Sequence, residues 1–410
     1  MSKIARNPKT GAKASFVLWR LESSGSLAID PIQHVLIGNP ENRRVEHFQD
    51  ALARLDMPPA TVIAYSDLID RPEMLRTVDR RAVVRIDSPG ENEAVERKLI
   101  ALGSEAAQSQ GCHWIDSEAA MKLPEDRGRI RYLRQWYLGF QALLGRIQSE
   151  LTNETTFYNH PDEILLMFDK PRCQAVLAAA DVETATAAGP LSSYQQIIQW
   201  MDQQQCKRVF VKPAHSSSAS GVIALTCFGE QLRAVTSVET EIVGSETRYY
   251  NNLKLRTYTD RFAIENMIDF FCRDGVQVER WLPKLKQESR NIDLRIVVIN
   301  GEACHSVVRS SQSPITNLHL GNRRGNLDSL IEFVGVEKWE TLRQAACRAA
   351  SIVPRSLYVG VDVLVKPGNH LPVVLELNAF GDLLPRVQHE GCDVWEAQIL
   401  RLPQHLAARD

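Results

Sequence analysis

The sequence predicts a mixed α/β and α+β protein, with a Rossmann-like parallel region first and antiparallel hairpins with flanking helices after it. Three observations carry this. Short apolar runs alternate with helical patterns as far as Leu102, as they do in parallel α/β sheets. Asn300–Gly301, a strong turn pair, divides two long strand-like runs in DLRIVVINGEACHSVVRS. The stretch LYVGVDVLVKPGNHLPVVLELNAFG, Leu357 to Gly381, reads as two buried strands about a KPGNH turn.

A chain of 410 residues suggests two or three domains, and 44% hydrophobic with 24% charged residues is an ordinary globular balance. The formal net charge of −2 gives no global footprint for nucleic acid or membrane. Eight cysteines are scattered with no C-x-x-C pair, which argues against zinc. No signal-peptide pattern and no long apolar run is present, so a cytoplasmic protein with reduced thiols is expected. Residues 1–30 lack a clear period and read as a poorly ordered extension. The expected organisation beyond them is an N-terminal α/β domain over 31–125, a helical central part over 126–205 and two lobes over 206–400.

In chain order, HVLI (His34 to Ile37) is a strand that runs through GNPENRR into a helix ending at Leu55. TVIAY (Thr61 to Tyr65) and AVVRI (Ala82 to Ile86) are further strands, the latter followed by DSPGEN and a helix to Leu102. Ligands of such sheets bind beyond the C-terminal strand ends. That nominates Gly38, Asn39, Arg43, Arg85, Asp87 and Ser88 as a binding edge, with turn chemistry and helix capping as the competing reading. Arg43, Arg44, Arg85 and Asp87 are the candidate substrate contacts. Glu125 to Leu151 reads as one helix with a Tyr132, Trp136, Phe140, Leu144 stripe facing a core. Ile164 to Ala180 continues helical, with Pro171 just after Lys170 suited to a first helical turn, and another helix follows Gly189–Pro190 up to Met201. RVFVKPAHSSSASGVIAL is strand, loop and strand; Ile264 to Cys272 is helical; VQVERWLP is a strand. Leu327 to Ile352 is mainly helical.

The chemistry-bearing residues cluster in the second half. Asp362 lies in one apolar run, and Glu376 and Asn378 lie two apart in the next, so these two share one face of a strand. Buried carboxylates are costly unless paired or metal-bound, and hard oxygen ligands suit Mg²⁺. Lys212 ends a strand ahead of SSSASG, whose backbone N–H groups and hydroxyls could cradle phosphate oxygens. A flexible serine-rich hairpin loop is the alternative. Neither GxxxxGK[ST] nor GxGxxG occurs. His215, His305 and His319 lie near these segments, and no Ser–His–Asp or Cys–His arrangement is evident.

Taken in order, these segments resemble the ATP-grasp superfamily. The matching features are Lys170 in MFDKPRCQAVLAAADVETAT, Lys212 with SSSASG, Glu279 in VERWLP, and the acidic VGVDVL…VVLELNAFG. The resemblance spans roughly Ile164 to Pro385, behind an N-terminal α/β (pre-ATP-grasp) domain. Within the superfamily, NIDLRIVVINGEACHSVVRSS…TNLHLGNRRG is similar to the ribosomal-protein glutamate ligase group. It is also similar to an uncharacterised bacterial ATP-grasp branch carrying GNPENRR.

The resemblance implies ATP and Mg²⁺ as cofactors. Lys170 and Lys212 would contact the nucleotide phosphates, covered by Ser217, Ser218, Ser220 and Gly221. Glu279, Trp281 and Leu282 would line the adenine site, and Asp362, Glu376 and Asn378 would hold Mg²⁺. Arg295 and Arg309, joined by Asn317, would face the acyl phosphate, with Lys212, Arg295 and Arg309 as the catalytic set. The implied activity is ADP-forming ligation of a small-molecule or peptide carboxylate to an amine or thiol through an acyl phosphate. A small-molecule kinase and a non-catalytic nucleotide-binding protein are the alternatives. The GDLLP that follows ELNAF departs from the usual ligase pattern, as does the absence of a Gly-rich fingerprint in the N-terminal domain.

Overall fold

The computed structural model describes residues 32–408 apart from 153, 218, 230 and 381–383. The extension expected over 1–30, Ser218 of the phosphate loop and the GDL of GDLLP lie outside the described residues, as does the side chain of His319.

The first sheet is parallel. Strand β1 (His34–Gly38) is central between β2 (Thr61–Ala64) and β3 (Val83–Ile86), and β4 (Thr156–Phe157) extends it beside β3. Asn42 caps the helix Arg43–Arg54 by accepting from the Arg44 amide, and Asn92 caps Glu93–Leu102 through the Val95 amide. That second helix lies directly on the long helix Leu133–Glu150. A Cβ at Gly139 would stand 1.8 Å from the Leu99 carbonyl oxygen, and one at Gly103 would stand 2.0 Å from that of Gln135. Only glycine admits this contact.

Two antiparallel sheets follow. The second sheet runs in the order β5 (Ala187–Leu191), β10 (Val276–Arg280), β6 (Arg208–Pro213), β7 (Ile223–Phe228), β8 (Gln231–Val243), β9 (Glu246–Tyr258). Ile197 and Met201 of helix Tyr194–Gln203 and Ile264, Ile268 and Phe271 of helix Arg261–Cys272 pack on it. The third sheet runs β14 (Arg323–Arg324), β13 (Glu302–Ser311), β12 (Arg290–Ile299), β15 (Tyr358–Val365), β16 (Pro372–Asn378), with β11 (Lys286–Gln287) also pairing β12.

Alternation along the third sheet decides what faces where. Ile292, Leu294 and Ile296 of β12 and Val359, Val361, Val363 and Val365 of β15 join the core beneath helix Val336–Ala350. Their neighbours Asp293, Arg295 and Asp362 therefore point to the opposite face. A bulge in the β15–β16 register beside Asp362 keeps Glu376 and Asn378 on that face while Val374 and Leu377 enter the core.

Two helix expectations need correction. Residues 125–132 are not helical: the long helix starts at Leu133, after Tyr132 in a left-handed conformation (φ 51°), and the Tyr132 ring stacks on His113. Ile164 to Ala180 is two helices, Pro161–Phe168 and Lys170–Ala179, because extended Asp169 breaks the chain and caps the second by accepting from the Arg172 amide. Leu327 to Ile352 is mainly helical as expected, in two helices, Leu327–Val334 and Val336–Ala350, divided at Gly335 (φ 84°). The hairpins at Asn300–Gly301 and after Val365 form as expected, while the β8–β9 hairpin had no counterpart in the sequence reading. Among the described residues, no helix is long and apolar enough to cross a membrane.

Candidate active site

A cavity of about 340 Å³ is lined from the second and third sheets, helix Lys170–Ala179 and the loops after β1 and β3. On its third-sheet wall, guanidinium and carboxylate groups face one another across β13, β12 and β15, and a second carboxylate follows on β16. Arg309 of β13 is directly opposite Asp293 of β12. Arg295 of β12 is opposite Asp362 of β15, which is opposite Glu376 of β16. Arg295 binds Asp362 through both Nε and Nη2, the latter at 3.2 Å. Arg309 bridges the two aspartates, with Nε 2.7 Å from Asp293 and Nη1 3.0 Å from Asp362.

Buried side by side, these groups reset one another. Burial would raise the Asp362 carboxyl, but Arg295 and Arg309 outweigh it and hold it well below the usual carboxylate range. Glu376 moves the opposite way, pushed up by burial and by Asp362 against the pull of Lys212 and Lys170. The two carboxyls are register partners on adjacent strands, and of the two it is Glu376 whose burial and neighbour favour the protonated form. Such a pair, on one wall with the Asn378 amide, is a donor set of hard oxygens that a divalent cation fits, since its charge offsets the repulsion between the two carboxylates. Asn378 also donates to the Gly360 carbonyl at 3.3 Å. Among the described residues, no three His, Cys, Asp or Glu side chains converge as a metal cluster, so the set offers two carboxylates and an amide.

The opposite wall carries the lysines. Lys212, at the end of β6, is paired with Glu279 of β10 at 2.6 Å, and Gln277 donates to the other Glu279 oxygen at 2.7 Å. Burial opposes the Lys212 charge, yet Glu279 and Glu376 raise it above the ordinary lysine value. Lys170, at the first position of its helix, donates to the Ser216 carbonyl, and burial lowers it despite Glu376. Both lysines, Glu279 and Ser217 line the cavity.

Ser220 and Gly221 are not lining residues. The Ser220 amide donates to the Ser217 carbonyl at 2.9 Å, closing the turn. Gly221 (φ 75°) lies where a Cβ would meet Pro213 at 2.7 Å. Leu282 lines the cavity, whereas Trp281 packs on Phe210 at 5.2 Å between ring centroids and is not a lining residue. Asn317 lines it.

The candidate substrate residues separate. Arg44 reaches the cavity and donates to the Phe380 carbonyl at 3.0 Å, while Arg43 is exposed and does not line it. Arg85 is 1% exposed, on the far side of β3. It donates to Gln398 at 2.6 Å and lies over the Phe48 and Tyr358 rings at 4.8 and 4.9 Å, with Asp87 3.5 Å away. Of the three histidines, His305 bonds the Cys392 carbonyl at 3.0 Å and His215 is buried behind the serine loop.

Sequence reasoning missed Lys284, Asp293 and Thr316. Lys284 lies 2.8 Å from Asp293 and 2.7 Å from Thr316, and all three line the cavity. The two-residue spacing of Asp293 and Arg295 was a usable signal, since it puts both on one strand face. Lys284 had none, because it follows a proline outside any strand.

No protein-family model matches the chain, and no curated protein sequence matches it. Solved structures do. D-cycloserine synthetase DcsG superposes with a TM-score of 0.51 at 13% identity, over 92% of this chain and 99% of that one. The ATP-grasp ligase PsnB, complexed with a phosphomimetic variant of its minimal precursor, Mg and ADP, superposes with a TM-score of 0.50 at 15% identity. The match covers 91% of this chain and 98% of PsnB. The chain has the ATP-grasp fold.

Proposed function

We propose that this chain is an ATP-dependent, ADP-forming ligase that joins a carboxylate to an amine (or thiol) through an acyl phosphate. The observation that carries the reading is convergence. Lys170, Lys212, Glu279, Glu376, Arg295 and Arg309 come from six separate elements of the chain and line one cavity, on a fold shared with a ligase held with Mg and ADP. The same reading divides the chain into an extension over 1–30, an N-terminal domain over 31–125, a central part over 126–205 and the ATP-grasp lobes over 206–400.

In this reading a substrate carboxylate oxygen attacks the γ-phosphorus and the bond to the β-phosphate oxygen breaks, releasing ADP. The amine nitrogen then attacks the acyl carbon. Phosphate leaves with the electron pair of the broken C–O bond, and the nitrogen gives its proton to solvent. Such chemistry needs positioning and charge stabilisation more than a side-chain nucleophile. Lys170 and Lys212 supply fixed positive charge for the phosphates, with Ser216 and Ser217 beside them. Arg295 and Arg309 are held by Asp293 and Asp362, so their donors are oriented before charge develops. Leu282 and Glu279 form the base-side wall. Asp362, Glu376 and Asn378 would hold Mg²⁺, which when bound supplies Lewis-acid stabilisation of phosphate oxygens.

The carboxylate belongs to a small molecule or a peptide, since one neighbour is named a D-cycloserine synthetase and the other is complexed with a precursor. The test is ADP release with amino acids, small acids and peptides, comparing wild type with Lys212→Ala and Glu376→Ala. Loss of turnover in both variants is expected, and retention in both would sink the assignment. Product masses divide ligation, which loses water, from a kinase, which adds a phosphate. Binding with no turnover on any acceptor would leave a non-catalytic nucleotide-binding protein.

A further inference from the structure

His215 is a buried titratable group for which the proposed chemistry has no use. It stands at the join between β6, which ends in Lys212 and Pro213, and the serines that line the cavity. It is 5% exposed, its ring lies 4.1 Å from that of Tyr137, and its Nδ1 is buried without a hydrogen-bond partner. Its Nε2 faces two groups that make opposite demands. Arg134 Nη1 is 2.9 Å away and can only donate, so it requires a lone pair there. The Asp169 carboxylate is 3.6 Å from the same nitrogen and would accept a proton from it.

The two neighbours lead to different elements. Arg134 belongs to the long helix, where it also donates to Gln110 at 2.9 Å and lies over Tyr137. Asp169 caps the helix that begins with Lys170. That helix start is itself tied to the backbone on either side of His215. The Lys170 amide donates to the Ala214 carbonyl at 3.2 Å and its ammonium donates to the Ser216 carbonyl. The charged and titratable groups facing His215 are thus Asp169 and Lys170 from one helix, and Arg134 and Tyr137 from the other.

We propose that His215 is a positioning residue for residues 214–217 and the Lys170 ammonium. It keeps them in the nucleotide-binding arrangement while its Nε2 accepts from Arg134, and it releases them when that nitrogen is protonated. The inference rests on the nucleotide-site reading given above. With Nε2 neutral, the Arg134 bond holds the loop root to the long helix. A proton there places two positive charges within 3 Å and turns the ring toward Asp169, drawing it off the helix that holds it. Burial, Arg134 and Lys170 all favour the neutral form, against Asp169, and move the imidazole below its ordinary value. The switch therefore acts on the acid side of neutrality.

The experiment has three arms on the full chain. In the first, the His215 Cε1–H resonance, identified by its absence in His215→Asn, is titrated in wild type, Arg134→Gln and Asp169→Asn. Removing the cation should move the midpoint to higher pH. Removing the carboxylate, with the cap kept by asparagine, should move it lower. In the second, hydrogen exchange at the Ser216 and Ser217 amides, corrected for intrinsic rates, should quicken below the midpoint in wild type and not in His215→Asn. In the third, the wild-type to His215→Asn ratio of MgADP affinities, which cancels the titration of the nucleotide itself, should fall by up to about tenfold per pH unit on the acid side.

Shifts of the same sign in the two charge variants, or an exchange profile unchanged by His215→Asn, would overturn the proposal. So would a pH-independent affinity ratio. Absence of MgADP binding at every pH would instead overturn the nucleotide-site reading, and the first two arms would still decide the role of His215.

Discussion

Two buried arginine–aspartate groups in this molecule look alike in sequence and do different work. Arg85 lies in β3 of the first sheet with Asp87 just beyond its end, and Arg295, Arg309, Asp293 and Asp362 span three strands of the third. Around Arg85 the charge is enclosed by aromatic rings and by Gln398 of the last helix. Its Nε and the Asp87 Oδ2 are left without hydrogen-bond partners. Around Asp362 each carboxylate oxygen is met by a guanidinium, and the group opens onto the cavity. The difference teaches that a buried ion pair is read by what it faces. One ties the first sheet to the C-terminal helix, and the other lines the cavity, where under the proposed function its donors would meet a ligand.

Four changes test the contrast, from the largest effect to the smallest. Under the proposed function, Arg309→Ala should lower ADP release by roughly 10²–10³-fold, the scale for losing one preorganised donor. Removing one partner of a buried pair also costs about 3–5 kcal/mol of stability, so ADP release should be measured per folded molecule. Turnover within a few-fold of wild type would erase the distinction. Arg85→Met should cost a comparable ~3–5 kcal/mol in chemical denaturation, with turnover per folded molecule unchanged. A selective loss of turnover there would return Arg85 to the site.

Glu376→Gln sharpens the comparison by separating function from stability. A carboxyl raised on folding contributes stability below its unfolded value, about 4.3, and loses it as pH rises. Asp362, which is lowered, does the reverse: its contribution is present above about 3.9 and fades as pH falls through the folded value. At pH 7–8 the glutamine variant should therefore melt above wild type while losing turnover. Added Mg²⁺ should raise the wild-type melting temperature, chelation should reverse this, and the variant should respond to neither. Equal Mg²⁺ responses would remove Glu376 from the metal set. Smallest is Gly221→Ala: a left-handed φ and the 2.7 Å approach to Pro213 predict a loss of ~1–3 kcal/mol in thermal unfolding, with weakened nucleotide binding. An unchanged melt would show that the loop turn carries no strain.

Much of the fold was legible before any coordinates. β1, β2 and β3, the Asn300–Gly301 hairpin and the β15–β16 hairpin follow from local pattern, because each is a short apolar run bounded by turn residues. The helix starts were harder. Asp169 and Gly335 divide apparently continuous helical stretches, since a capping side chain or a positive φ interrupts the backbone without interrupting hydrophobic periodicity. The β8–β9 hairpin was missed because its outer halves are exposed and polar, leaving little alternation to read.

The site divides in the same way. Lys212, Asp362, Glu376 and Asn378 are singled out by residue type and spacing, Lys170 and Glu279 by the resemblance to the ATP-grasp superfamily, and all line the cavity. Strand periodicity of two puts Glu376 and Asn378 on one face whatever surrounds them, so the sequence by itself determines that a polar face exists there. Tertiary structure alone decides the rest. Register across β13, β12, β15 and β16 pairs each guanidinium with its carboxylate. The packing of aromatic rings removes Arg85 from the site, and the meeting of two helices at Nε2 gives His215 its competing partners. Those outcomes depend on residues up to hundreds of positions apart, and Coulomb and hydrogen-bond energies are set by ångströms in space rather than by distance along the chain.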